Sequence, residues 1–532
     1  MLINGKKGVF MKKTTSFAVI TAIAAGLAFF TLHGCGTSGS GGVKITGDMN
    51  INYGEYHQEI DGFGGSNAWN KAISDPDAAK KAATLLFSKT EGAGFTILRN
   101  RIPFRERLQS DEIPGYDDGF IERKDDNTYV YTTNANGTKS FKLNWNSFDV
   151  KGTKALISDI KDLGADGPEK LTIMSTPWTP PNNRVTQWKE DVAGVNSRMD
   201  YKMVWSKPDV WGRLKKDKYE DYADLLADYV NNFETVMGHP LAILSVQNEP
   251  NWKVDYESAY WSGQDLKDFL KVIARRFPMK GIALGENGLG IMIPEFENFN
   301  INFNNMIKPS LDDPESEKIL SHIGLHQYNG ANDSSSWAGA KEFPEITASG
   351  KRFWQTEVSG SGQYLPYGTG IDNALYYARM IHFDMTRART NAFLFWWLWT
   401  GSETSFTSGS LLFVDYDTVT AATRLYAMGQ YSRFIRPGWY RIDCDATPIR
   451  NVYASAYRNP NSDEIAIVII NDTMASATVN INLNGGEFSS LDRWRTSAAE
   501  NLKSLGKQMF SRNASKVSLP PKSITTFYGR VK

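Results

Sequence analysis

The chain has 532 residues, with 59 basic and 59 acidic side chains and a formal net charge of +0. Hydrophobic residues make up 41% and charged residues 22%, ordinary globular values that exclude a mostly disordered chain and a multi-span membrane protein. The balanced charge leaves no broad basic field for a nucleic-acid backbone, so that partner class is not expected.

In chain order, Lys12 and Lys13 precede an apolar run from Phe17 to Leu32, the length of a secretory signal core and short for a spanning helix. Met11 is an alternative start. The run ends in Leu32-His33-Gly34-Cys35, which resembles a bacterial lipobox with an atypical His. Residues 1–35 are therefore expected to be a lipoprotein signal, with Cys35 acylated as the mature N-terminus. The expected location is the cell envelope, at the outer membrane or cell surface, or else secretion. Residues 36–42 are Gly and Ser with one Thr, a flexible tether. The only other cysteine is Cys444, read as packed rather than reactive.

Residues 43–58 read as a strand that joins a side β-domain. From 59 to 435, short apolar runs alternate with amphipathic stretches. The expected strands are Ile60–Gly64, Phe95–Ile102, Leu171–Ser175, Ala242–Gln247, Gly281–Gly285, Ile323–Tyr328, Phe353–Thr356 and Ala392–Trp397. The expected helices between them include Lys218–Met237, stopped by Gly238, with Gln264–Arg275 and Ile371–Arg387. Eight such units predict an α/β fold, a (β/α)8 TIM barrel. An Asn136-Gly137 turn predicts a hairpin inserted above it. The long connection 179–215 carries Trp188, Trp205 and Trp211. Residues 436–532 hold short β-type runs separated by Gly, Pro and Asn, and predict a C-terminal antiparallel β-sandwich.

The active end of such a barrel lies at the C-terminal ends of its strands. The fourth strand runs into Asn248-Glu249-Pro250 and the seventh into Glu357. The sixth ends in His326 and Tyr328, and the second carries Arg99. The first leads into Asn67 and Trp69, and the third into Trp178. The eighth holds Trp396, Trp397 and Trp399. Aromatics reach 12% of the chain, including 15 Trp and 23 Tyr, and aromatic faces stack on sugar rings. Two carboxylates within a tryptophan rim are what glycoside hydrolysis requires, one as acid and the other as nucleophile or base. The acid must hold its proton near neutral pH, while Arg99 and Tyr328 would keep the second carboxylate ionised. Other constellations are weak. His322 and His326 stand about 14 Å apart if both lie on one strand. No zinc or calcium pattern is present, so no metal is expected. Gly62-Phe63-Gly64-Gly65 reads as a tight turn and Glu286 as a structural or sugar-binding group at the fifth strand.

Ser245-Val246-Gln247-Asn248-Glu249-Pro250 and Trp354-Gln355-Thr356-Glu357 resemble the acid/base and nucleophile motifs of glycoside hydrolase family 30. Asp61-Gly62-Phe63-Gly64-Gly65, Thr176-Pro177-Trp178-Thr179-Pro180-Pro181 and the stretch from Gly429 to Gly438 look like further landmarks of it. The likeness runs from about residue 45 to 530 and is strongest to the bacterial endo-β-1,4-xylanases that cut glucuronoxylan. It implies a retaining mechanism without cofactors, with Glu249 as acid/base and Glu357 as nucleophile. Asn248 would bind the sugar 2-hydroxyl, and Trp252, Tyr256 and Trp397 match aromatic subsite positions. Those xylanases follow the eighth-strand Trp with a Tyr and an Arg pair that grips the glucuronic acid branch. Here the run is Trp397-Leu398-Trp399-Thr400-Gly401-Ser402, so strict need for that branch is not expected. Arg101, Arg105 and Arg107 are the candidate replacements. The expected partner is a xylan-type polysaccharide, with the membrane reached through the lipid anchor and a monomer as the default. The competing expectations are an endo-β-1,6-glucanase or galactanase of the same family, and a glycan-capture lipoprotein that does not cut.

Overall fold

The computed structural model describes residues 45–104, 119–183, 185–192, 210–254, 256–285, 287–328, 340–360, 368–401 and 409–532. The expectations placed on the signal, Cys35, the tether, Arg105, Arg107, Trp205 and Glu286 lie outside these residues.

The described chain begins in β1 (Ile45–Ile60), a strand of the side domain, and passes at once into β2 (Gly62–Ser66), the first barrel strand. The glycine-rich stretch is therefore strand and not a tight turn. The reason is steric: a Cβ on Gly64 would sit 1.9 Å from the Ile97 carbonyl oxygen of the neighbouring strand. Helix α1 (Pro76–Phe87) starts on the Asp75 side chain, which accepts from the Ala78 amide. It leads to β3 (Ile97–Ile102).

The Asn136-Gly137 hairpin is present as β4 (Tyr131–Thr133) and β5 (Lys139–Phe141). After it come α2 (Phe148–Asp162), β6 (Thr172–Pro177), the two-residue pair β7 (Lys189–Glu190) and β8 (Arg213–Leu214), and α3 (Tyr219–Met237). The hairpin does not stand over the barrel mouth. It lies along α3, whose Asp224 and Asp228 carboxylates accept the Lys139 and Phe141 amides at 2.6 and 2.7 Å. Trp188 and Trp211, from the long connection, are each 3% exposed and belong to the core.

The fourth unit is β9 (Ile243–Ser245) with α4 (Gly263–Met279), which opens on a capping box of Ser262 and Asp265. The fifth strand corrects the sequence expectation. Ile282–Gly285 makes only an isolated bridge, Leu284 to Leu289, and the strand proper is β10 (Gly290–Phe296). Three short helices, α5 (Phe303–Met306), α6 (Lys308–Leu311) and α7 (Pro314–Ile319), lead to β11 (Leu320–His326). Then come α8 (Pro344–Ser349), β12 (Arg352–Glu357) and α9 (Ile371–Phe383), which ends in a π turn over Asp384–Ala388. Last is β13 (Ala392–Thr400).

Strands β2, β3, β6, β9, β10, β11, β12 and β13 pair in parallel, and the β12–β13 pairing closes the barrel. Its interior is filled by Ile97, Met174, Ile243, Met292, Trp354, Ala392 and Leu394, from six different strands. Beyond β13 the sheet is extended by β14 (Ser410–Asp415) and the antiparallel β15 (Thr418–Ala421). Helix α10 (Thr423–Ser432) completes the wall.

The side domain contains β16 (Trp439–Cys444), β17 (Val452–Arg458), β18 (Glu464–Asn471), β19 (Ala477–Asn484), β20 (Phe488–Ser497), β21 (Glu500–Met509), β22 (Ala514–Leu519) and β23 (Ser523–Val531). With β1 they form one nine-stranded sheet. Val517 of β22 and Leu491 of β20 share a core with Ile51, Val479 and Phe527, so the sheet folds over itself as a sandwich. The pairing is antiparallel except at β1–β19, which is parallel. The Gly429–Gly438 stretch forms the seam between the domains: Phe434 packs on Trp494 at 4.8 Å, and Gln430 donates to Thr496.

Candidate active site

Glu249 follows β9 and Glu357 ends β12; they are 7% and 4% exposed. One carboxylate oxygen of each and one ring nitrogen of His326 lie within 4.8 Å of one another. Glu249 has a φ of +44° and Glu295, at the end of β10, a φ of +50°. Non-glycine residues avoid that region, and such strain collects at functional sites. The Glu249 amide donates to the Glu295 carbonyl at 3.0 Å, which fixes the turn.

Arg99, fully buried on β3, reaches three groups at once. Its Nη1 donates to Glu357 Oε2 at 2.6 Å and its Nη2 to Asn248 Oδ1 at 2.6 Å. Its Nε forms a 3.1 Å ion pair with Glu295 Oε1. Tyr328 donates to Glu357 Oε1 at 2.6 Å. Burial pushes the Glu357 carboxyl up and the Glu249 charge adds to that, while His326, Arg99 and Tyr328 pull it down; the net direction is upward. His326 Nδ1 sits 2.9 Å from Glu249 Oε1. Burial opposes charge on His326, but Glu357, Glu249 and Glu295 overcome it and raise the ring to about 9.

Glu295 was missed by sequence reasoning. It is 0% exposed and accepts from Thr176 Oγ1 at 2.8 Å. Burial raises it, yet Arg99 and His326 bring it down to about 2, so it is ionised throughout the neutral range. The available signal was the apolar run Gly290–Ile293 ahead of it, broken by Pro294. Gln247 was also passed over; it staples the turn by donating to the Trp178 carbonyl at 2.6 Å.

The aromatic residues divide. Trp69 packs edge-on to Trp178 at 4.9 Å, to Trp396 at 5.8 Å and to Tyr256 at 6.3 Å. Trp396 stacks on Trp397 at 5.1 Å, and the Trp397 Nε1 donates to the Ala68 carbonyl. The Arg99 guanidinium lies 4.8 Å from the Trp178 ring. Trp252 and Tyr256 are 50% and 43% exposed, just past Glu249. Trp399 faces the other way, into the outer core. Asn67 is 1% exposed and donates to Thr153 of α2, so its amide nitrogen ties strand to helix rather than meeting the carboxylates. His322 lies lower on β11 against Trp354, and burial drives it down to about 3. Burial pushes the Cys444 thiol up to about 12.

Arg101 is not free to bind an acidic branch. It is held between Asp149 and Glu257, and its guanidinium lies 4.9 Å from the Trp69 ring.

The pattern of the glycosyl hydrolase family 30 beta sandwich domain matches residues 438–527. A glucuronoxylanase of Bacillus subtilis is 26% identical over 497 residues, spanning 91% of this chain and 92% of the relative. The chain carries the family 30 β-sandwich domain and is similar to family 30 xylanases along most of its length. Among solved family 30 members, the subfamily 8 xylanase of Clostridium acetobutylicum is 27% identical, with a TM-score of 0.64, covering 91% of this chain and 99% of that one. A family 30 endoxylanase from Clostridium papyrosolvens C71 is 25% identical with the same TM-score, covering 91% and 100%. A family 30 member is a glycoside hydrolase, and the cluster around Glu249 and Glu357 stands at the barrel end where such chemistry is done.

Proposed function

We propose that this chain is a family 30 glycoside hydrolase, a retaining endo-β-1,4-xylanase that does not depend on glucuronic acid branches. The observation that supports the mechanism is the closeness of the two carboxylates, which bring one oxygen each to within 4.8 Å of the other. Retaining enzymes hold their pair about 5–5.5 Å apart, whereas inverting ones leave about 6.5–9.5 Å for a water. Glu249 gives its proton to the glycosidic oxygen as Glu357 attacks the anomeric carbon, and the leaving sugar departs with that proton. Water then attacks the glycosyl ester, Glu249 takes the water proton, and Glu357 leaves as carboxylate. With its Oδ1 occupied by Arg99, Asn248 presents its amide nitrogen to the sugar 2-hydroxyl.

Charge fits one proton on the pair: Arg99 and protonated His326 balance Glu295 and one of the two catalytic carboxylates, so the site is neutral when Glu249 and Glu357 hold a single proton between them. Which of the two delivers it is assigned from the motifs that each residue sits in. The xylan substrate rests on the xylanases that this chain resembles along most of its length. Independence from the acid branch rests on the missing Tyr and Arg pair after Trp397 and on the engagement of Arg101 with Asp149 and Glu257.

The test is product release from glucuronoxylan, linear arabinoxylan and the β-1,6-glucan pustulan by wild type and Glu357→Gln. Mixed xylo-oligosaccharides from both xylans, first formed as the β-anomer and abolished in the variant, are expected. Cleavage of pustulan alone moves the substrate to a β-1,6-glucan, and α-anomers overturn the retaining mechanism. Binding to a xylan without product from any polymer favours glycan capture.

On sequence alone we also propose that Cys35 carries the lipid. Labelled palmitate incorporated by wild type and lost in Cys35→Ser is the expected result.

A further inference from the structure

We infer that Glu295 is a positioning residue that acts on both halves of the catalytic pair, on the nucleophile through Arg99 and on the acid/base through its own backbone and His326. The inference rests on the glycosidase reading above.

Its acceptor groups are divided among the machinery. The backbone carbonyl holds the Glu249 amide at 3.0 Å. Oε1 faces Arg99 Nε at 3.1 Å and His326 Nε2 at 3.8 Å. Oε2 accepts from Thr176 at 2.8 Å. Arg99 faces a separate oxygen with each nitrogen, and the Glu295 charge beside Nε holds the guanidinium where Nη1 meets Glu357 and Nη2 meets Asn248. A buried guanidinium with one partner removed would turn toward the remaining carboxylate and shift both others. Glu295 itself is held without slack: the side chain is fully buried and Thr176 beneath it is 0% exposed.

The second action is electrostatic. His326 is faced by Glu249 at the end of β9, by Glu295 from β10, by Glu357 from β12 and by the Tyr328 ring at 6.1 Å. Glu297, just past β10, is also within its field, but burial pushes that carboxyl up to about 7, so it carries only part of a charge near neutral pH; Arg99 is the neighbouring cation, paired with Glu295 and Glu357. Of these carboxylates, Glu249 and Glu357 change charge or bond during turnover in the proposed mechanism. Glu295 does neither, and it is the constant negative charge beside the ring.

Glu295→Gln isolates the charge. The glutamine oxygen can occupy the place of Oε1 beside Arg99, and its amide can donate to the Thr176 hydroxyl, so the shape is retained. The expected result is a kcat on xylan lower by about 10²-fold with KM little changed, and a basic limb of the pH–rate profile moved down by about one unit. The loss persists on an aryl xylobioside whose activated phenol needs no proton, because Arg99, relieved of the Glu295 charge, is drawn harder onto Glu357 and weakens the nucleophile. A purely structural Glu295 would lower the melting temperature and leave the pH limb and the KM-to-kcat split unmoved, which overturns the inference. So does a loss confined to the poor leaving group, since it removes the action through Arg99. Thr176→Val serves if Glu295→Gln does not fold: it frees Oε2 without removing the charge, and a lowered kcat on both substrates supports the inference, while an unchanged kcat overturns it. Wild type is read in the same assay. An inactive wild type takes down the glycosidase reading itself, whereas an active wild type beside an unaltered Glu295→Gln takes down this inference alone.

Discussion

Arg101 and Trp252 mark the two ways a residue near a cleft can be spent. Arg101 is 5% exposed between two buried carboxylates. Removing its charge strands both of them, so Arg101→Met is expected to cost about 3–5 kcal/mol of stability, read by urea unfolding. The folded enzyme should keep its ratio of activity on glucuronoxylan to arabinoxylan. Trp252, at 50% exposed, has the opposite character. Trp252→Ala is expected to leave stability unchanged and to raise KM on polymeric xylan while sparing an aryl glycoside, which would show that it serves the leaving-group side. The pair Glu249 and Glu357 was legible because each follows a short apolar run that ends abruptly in polar residues. Glu295 was not, since a carboxylate that works through other side chains has no motif of its own. Asn67 shows a related limit: position at a strand end says where a side chain starts, and does not tell that its amide nitrogen is taken by Thr153.

The same contrast holds for whole elements. Long amphipathic helices were readable to within a few residues, as in α3 and α4, because burial imposes the 3.6-residue period over several turns. Caps sharpen those boundaries: Ser262→Ala removes the side chain that accepts the Asp265 amide, and a loss of about 1 kcal/mol with unchanged kcat is expected from paired unfolding and activity measurements. The fifth barrel strand failed because its sequence breaks the usual rule. Proline cannot donate in a ladder, so Pro294 argued against a central strand, while Ile282-Ala283-Leu284 between glycines imitated one. Register resolves the conflict, since Gly290, Ile291 and Met292 lie opposite Ile243, Leu244 and Ser245. The hairpin was found by its Asn-Gly turn, but its resting place on α3 depends on Asp224 and Asp228, which pair with Arg276 and Lys280 of a later segment. No local pattern carries that.

For the whole molecule, buried ionisable groups set opposite limits on pH. Burial drives His322 and His382 down to about 3. Their contribution to stability is complete above the ordinary histidine value of about 6.5 and is lost as pH falls toward 3. His326 has the reverse sign: burial opposes its charge, but three carboxylates raise it to about 9, so its contribution is present below about 6.5 and lost as pH rises through 9. Asp61, raised by burial to about 6, favours the acid side and blunts the first effect. Thermal unfolding across pH should give a maximum near pH 6.5, with stability falling toward pH 3 on the acid side and falling again between about 6.5 and 9. An unbroken rise in stability from pH 5 to pH 10 would contradict these assignments.

The place of β1 in the side sheet has a consequence for how the molecule is made. It lies between β16 and β19, and Asn52 pairs with Asp443 on one side and Asn484 on the other. Both neighbours are therefore translated roughly four hundred residues after it. At about 5–20 residues per second, β1 waits on the order of 20–90 s with both edges open before either partner leaves the ribosome. The first of the described strands is thus among the last to be paired, and a nascent chain that stalls anywhere in the barrel leaves it exposed to other strands.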